Sequence, residues 1–276
     1  MKLNTEHLLI HHLSSLQSPI VTLVVGPHSR LFAAHTEILC RSPFFLHALR
    51  DNFNNMADSK ARQLVLPEED PEIFSLVLEY MYKGDYTPKL AHDKRKNCWV
   101  LQDCPSPAST VTSPTTPNTP RSTHHTSPSI ASTQPSPVSQ YGFRNDSCVA
   151  LKVDDDLSYL ARGTPVLKDT AIYCLADRFE LPDLKRLALR KQGLRSGIEV
   201  GTILASARFA YAHTPESDSK MRAHYLALIV RARSTFKRSG TMQVEMQKGG
   251  RLWFDLFVAM CNHMDDLSHG ADKRAK

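Results

Sequence analysis

The sequence predicts an α+β fold: a small three-stranded sheet flanked by helices, interrupted by a disordered insertion and followed by an α-helical C-terminal extension. Three observations lead there. Short β-branched runs near the N-terminus alternate with turn residues, Pro, Ser and Thr dominate a stretch in the middle, and apolar residues recur at helical spacing from Pro165 onward.

Leu8, Leu9, Leu13 and Leu16 form a helix-like stripe that stops at Ser18-Pro19. The β-branched run Ile20–Val25 predicts a strand, Gly26-Pro27-His28-Ser29 a turn, and Leu31–Ala34 the second strand of a hairpin. Thr36 is placed to cap a short helix running to Cys40, and Ser42-Pro43 starts another whose buried face is Phe44, Phe45, Ala48 and Leu49. Gln63–Leu66 reads as a short strand closed by Pro67. Acidic residues at 68–70 then suit the N-terminal dipole of a helix that buries Ile73, Phe74, Val77, Leu78 and Met81 and ends at Lys83-Gly84-Asp85.

From Pro105 to Gln140, 25 of 36 residues are Pro, Ser or Thr, and none is acidic. Such a stretch buries too little surface to offset the entropy of ordering it. The predicted division is therefore 5–90 for a first folded segment, 91–164 for a disordered insertion, 165–195 for helices that close the first segment, 196–268 for a helical extension and 269–276 for a disordered tail. In the closing part, Leu167, Ala171, Leu175 and Phe179 share a helical face, Pro182 starts a second helix carrying Leu184, Leu187 and Ala188, and Gly193 stops it. Further helices are expected at Ile198–Tyr211, Met221–Thr235 and Leu252–Met264. The last carries Leu252, Trp253, Leu256, Phe257 and Met260 on a stripe expected to face the core.

Net charge is unevenly spread. From Val166 onward 19 Lys and Arg stand against 12 Asp and Glu, whereas the preceding residues carry 15 against 16. Solvated helix faces account for such a balance, and nucleic acid is not expected as a partner. No apolar run reaches the length of a membrane span, and the N-terminus lacks a signal-peptide pattern, so an intracellular chain in nucleus or cytoplasm is expected, with its six scattered cysteines reduced.

Chemical motifs are missing. There is no Gly-rich phosphate loop and no nucleophile elbow; His7 and His11 lack the glutamate of a zinc-protease helix; Cys98 and Cys104 near His92 do not have a usual zinc spacing. No catalytic residue, cofactor or metal is expected. The six pairs beginning at Ser106, Ser113, Thr116, Thr119, Ser127 and Ser136 are each Ser-Pro or Thr-Pro, which makes them candidate sites for proline-directed phosphorylation; composition alone also generates such pairs.

The order helix, hairpin, two short helices, strand and helix meets a set of local matches. Ile20–Gly26, Phe32-Ala33-Ala34-His35, Leu39, Arg41-Ser42-Pro43-Phe44-Phe45, Leu64–Pro71 and Tyr82-Lys83-Gly84 resemble the BTB/POZ signature in order and spacing. Tyr173–Lys185 resembles the helical pair that closes that domain, and the whole is most similar to fungal BTB proteins with a helical extension. The resemblance implies a domain split by its insertion, since a long surface loop adds little closure cost. It implies a protein-interaction module, homo- or hetero-oligomeric, with Leu8, Leu9, Leu13 and Ile20 as a candidate dimer surface. Ile20 stands where many members have Asp, which removes a charge that shapes the dimer pocket of BTB transcription factors.

Cullin-binding members carry a hydrophobic-x-acidic motif before the third strand. Met56-Ala57-Asp58 matches it in form, so the resemblance implies a cullin-based ubiquitin-ligase adaptor with Met56 and Asp58 at the cullin contact. Local packing of Met56 and a solvated Asp58 explain the same residues equally well. The alternative reading is a nuclear or chromatin-associated scaffold that uses Arg186, Arg190, Arg195, Arg231, Arg233, Lys237 and Arg238 of the basic C-terminal third.

Overall fold

A computed structural model describes residues 17–55, 63–94, 98–101, 158–161, 163–193 and 197–274. β1 (Ile20–Val25) turns through Gly26 into antiparallel β2 (Arg30–His35), and β3 (Gln63–Leu66) lies parallel to β1 on its other side, giving the order β2-β1-β3. Val21, Leu23 and Val25 are fully buried on the inner face, as the period of two requires. Gly26 has φ +78, and a Cβ there would stand 2.8 Å from Pro71 Cγ. The turn therefore needs glycine both for its backbone and for its close approach to the next helix.

His35 leads into α1 (Thr36–Leu39), and Pro43 opens α2 (Pro43–Asn55). The expected cap moves by one residue. Thr36 is the first helical residue, and its N–H and hydroxyl both donate to Pro19 O (2.8 and 2.6 Å), so it continues the hairpin ladder into the helix instead of capping. The Ser42 hydroxyl is the capping group for α2, accepting from Phe45 N–H. α3 (Pro71–Lys83) is capped by the Asp70 carboxylate, which accepts from the Glu72 and Ile73 N–H groups, and ends at Gly84 with φ +73.

The described structure extends into both edges of the predicted insertion. β4 (Leu90–Asp93) pairs with β5 (Cys98–Leu101), and β6 (Ser158–Ala161) with β7 (Thr164–Leu167). Pro165 thus sits in a strand and not in the helix expected to start there. Pro is tolerated in a two-stranded ladder, and the helix waits until Lys168. Buried Tyr159 packs near Phe209, and Leu167 N–H donates to Ser206 Oγ at 2.9 Å, so this hairpin belongs to the core.

α4 (Lys168–Arg178) is buried continuously from Asp169 to Ala176. α5 (Pro182–Gln192) packs on it, followed by α6 (Val200–His213), α7 (Lys220–Arg231), short α8 (Arg233–Phe236), α9 (Gly240–Gln247) and α10 (Arg251–Arg274). The helix expected over Met221–Thr235 breaks at Ala232. α9 has no counterpart in the sequence reading because Glu245 is its buried residue, so it lacks an apolar stripe.

The pieces on either side of residues 102–157 share one core. Phe179 packs against Phe44 (5.0 Å), Phe45 (4.7 Å) and, edge-on, Phe74 (6.2 Å), and its carbonyl accepts from Ser42 Oγ at 2.6 Å. Tyr86 OH donates to Asp169 at 2.7 Å, and Arg178 pairs with Glu69 at 2.8 Å. The fully buried Lys191 ammonium donates to Asp85 Oδ1 (2.6 Å) and to the Tyr86 and Pro88 carbonyls, while lying 3.6 Å from the Tyr86 ring centroid.

If a protease site is introduced between residues 102 and 157 and cleaved, the two fragments are expected to elute together in size-exclusion chromatography. Asp85→Ala removes a carboxylate partner of the buried ammonium and should destabilise the intact chain by about 3–5 kcal/mol, read by denaturant titration. Fragments that separate without denaturant would show that the pieces are independent.

Candidate functional site

The charged side chains of the C-terminal helices are largely engaged with one another. Lys185 donates to Asp177 and to Asp218 (2.6 Å), and Tyr173 OH donates to both Asp218 oxygens at 2.8 and 2.9 Å. Burial works to raise the Asp218 carboxyl, but the bonds from Lys185 and Tyr173 outweigh it and hold the group below its usual range. Glu245 behaves alike: burial is outweighed by bonds from Lys248 and Arg208. A second network, Thr170 with Tyr225 (2.6 Å) and Gln192, satisfies buried polar groups where α4, α5 and α7 meet.

The nucleophile candidates sit in structural settings. Burial pushes the Cys174 thiol up to about 12, and burial also raises Cys40. Cys40, Cys174 and Cys261 are free thiols. His35 makes a structural contact. Its N–H donates to Tyr82 OH at 2.9 Å, and its Nδ1 lies 2.8 Å from the same oxygen, tying β2 to α3. Among the described residues no three His, Cys, Asp or Glu side chains are grouped to hold a metal, and no helix is long and apolar enough to cross a membrane.

Among the described residues, two apolar faces without charged side chains are presented to solvent. The first is the outer side of the three-stranded sheet. Register aligns Leu31, Val24 and Val65 in one row, Ala33, Thr22 and Gln63 in the next, and His35 with Ile20 at the end. Ile20, Leu31 and Val65 are 57%, 67% and 58% exposed. No Asp, Glu, Lys or Arg interrupts these rows. Solvated sheet faces ordinarily alternate in polar residues, so a strip of this kind marks a contact surface.

The second face lies on α10 and corrects the sequence reading. Leu252 and Leu256 are buried and Trp253 is half-buried, as a core stripe requires, but Phe257 is 66% exposed and Met260 37%. At about 100° per residue, Met260 falls about 60° and Phe257 about 120° from the centre of the Leu252–Leu256 line, and α6 and α7 cover the helix on that line.

Of the expected site residues, Ile20 is exposed at the start of β1, in keeping with a surface position. Leu8, Leu9 and Leu13, the pair Met56 and Asp58, and Ser106, Ser113, Thr116, Thr119, Ser127 and Ser136 lie outside the described residues. Arg195 does as well. Arg186 pairs with Asp183 on α5, whereas Arg231, Arg233, Lys237 and Arg238 are exposed around α8. The sequence reading missed Leu31 and Val65. Alternation along β2 and β3 carried the signal, since the inner row of a two-faced strand fixes which apolar residues are left outside.

A mixed α/β module whose prominent described features are uncharged apolar faces defines a protein-binding class of domain. The BTB/POZ domain family model matches residues 17–97, which take in β1 to β4. The chain carries a BTB/POZ domain, a protein–protein interaction domain. No curated protein matches the chain.

The depressed Asp218 carboxyl sets a pH dependence. Its stabilisation is present above the ordinary carboxylate range, about pH 4, and is lost as pH falls through the lower folded-state value. Asp218→Asn should therefore melt below the unsubstituted chain at neutral pH, and the gap should narrow progressively as pH falls below about 4 in thermal denaturation followed by circular dichroism. A gap constant with pH would contradict the assignment.

Proposed function

We propose that this chain is a self-associating adaptor whose BTB/POZ domain pairs with a second copy through the outer sheet face. The observation that supports it most is the uncharged row Leu31–Val24–Val65, with Leu31 and Val65 exposed on strands flanking β1. An isologous contact places the same residues opposite each other, so a charge-free strip carries no like-charge penalty on pairing. Ile20 extends the strip, and the Leu8, Leu9 and Leu13 stripe precedes it in sequence.

Leu31→Lys with Val65→Lys puts like charges into that contact without touching the core. The mass measured by sedimentation equilibrium is expected to fall relative to the unsubstituted chain at matched concentration. An unchanged mass would refute self-association through this face.

The finer version makes the chain a substrate adaptor of a cullin-based ubiquitin ligase, with Met56 and Asp58 on the cullin and the C-terminal helices recruiting the substrate. It is supported by the hydrophobic-x-acidic spacing ahead of β3 in a chain that carries a BTB/POZ domain. Pull-down from native extract should recover a cullin, and Met56→Ala with Asp58→Lys should abolish recovery. Equal recovery by both proteins, or none by either, sinks this version.

A further inference from the structure

α10 is 24 residues long, and its inner line, Leu252, Leu256 and half-buried Ala259, packs against the helical extension. A second apolar line runs beside it: Trp253, Phe257, Met260, Met264 and Leu267. The intervals are 4, 3, 4 and 3 residues, the 3.5-residue period with which one helix meets another. Met264 and Leu267 are each 55% exposed and Phe257 66%, so beyond half-buried Trp253 this line is an open seam from Phe257 to Leu267.

The charge distribution selects the occupant. The positions flanking the seam hold Phe254, Cys261, His263 and Ser268, none of them Asp, Glu, Lys or Arg. Asp255, Asp265 and Asp266 lie on the other side of the helix, and Asp255 accepts from Tyr211 OH at 3.0 Å. A heterotypic helix pair is ordinarily specified by charges at the flanks. With none present, nothing discourages a second copy, and no like charges meet when one docks. An anionic lipid surface is disfavoured because the stretch that carries the seam, from Leu252 to Leu267, holds Asp255, Asp265 and Asp266 and no Lys or Arg.

We infer that α10 is a second self-association element: Phe257, Met260, Met264 and Leu267 of one copy pack against the same seam of another. Burying these side chains on both copies removes on the order of 1,000 Å² from water, the size of a weak interface, which makes the association concentration-dependent. This surface is separate from the sheet face and does not depend on it.

The test uses the full chain carrying Leu31→Lys and Val65→Lys, so that association through the sheet is disabled. Sedimentation equilibrium of that protein should still show association that strengthens with concentration, and adding Phe257→Glu with Met264→Glu should return a single copy, about a twofold fall in mass from a pair. Near-ultraviolet circular dichroism, which reports the buried aromatic cluster, should be the same in both because the substituted side chains are exposed. A protein already single-copy before the glutamates are added overturns the inference. So does a mass that they leave unchanged, which would hand the seam to a different protein or to the chain's own Leu8–Leu16 segment. Failure of the sheet reading is seen separately, as a lysine variant whose mass equals that of the unsubstituted chain.

Discussion

A lysine without exposed surface holds the two halves of this domain together. The Lys191 ammonium sits among the Asp85 carboxylate, the Tyr86 and Pro88 carbonyls and the Tyr86 ring. A buried ion pair adds little stability over an apolar substitute, yet an unpaired buried charge is costly, so the arrangement acts mainly as a constraint on which partners may meet. Its donor comes from α5 and its acceptors from the turn after α3, more than a hundred residues earlier. The Tyr86–Asp169 hydrogen bond and the packing of Phe179 repeat the same connection in polar and apolar form. The sheet can present one face to solvent because these contacts, made through α3 and α4, fill the other.

Local chemistry made much of this visible beforehand. The hairpin, the Ser42-Pro43 start of α2 and the Gly84 end of α3 each follow from residues whose backbone preferences act within a few positions. Those signals cannot show what lies across the fold. α4 is buried on all sides, so its Asp169 and Thr170 have the look of surface residues until Tyr86 and Tyr225 are placed beside them. The β6–β7 hairpin escaped notice because four-residue strands beside a Pro/Ser/Thr-rich stretch have no periodicity to detect, and Pro165 resembles a helix start as much as a strand residue. α10 shows the converse. Its apolar residues were read as a single broad core stripe, whereas α6 and α7 cover only one line of them.

The functional surfaces were legible to the same extent. Ile20 was identified from the run that forms β1, but Leu31 and Val65 needed the register, which aligns both with Val24. Exposure of two apolar faces on one chain argues for assembly with more than one contact, a geometry in which weak interfaces gain from acting together. The BTB/POZ match over residues 17–97 covers the sheet face, while the α10 seam belongs to the helical extension, so the two faces are carried by different parts of the chain.

The division of the core across residues 102–157 also has a meaning in time. A ribosome delivers Phe45, Phe74 and Tyr86 long before Phe179 and Lys191. At typical elongation rates the roughly hundred residues between Asp93 and Gln192 take about 5–20 s to make. Throughout that interval the nascent first piece carries an aromatic cluster without its central ring, and a tyrosine and an aspartate without the ammonium between them. The domain is thus completed from its later end, and until then the unfinished surface is open to contact with other chains.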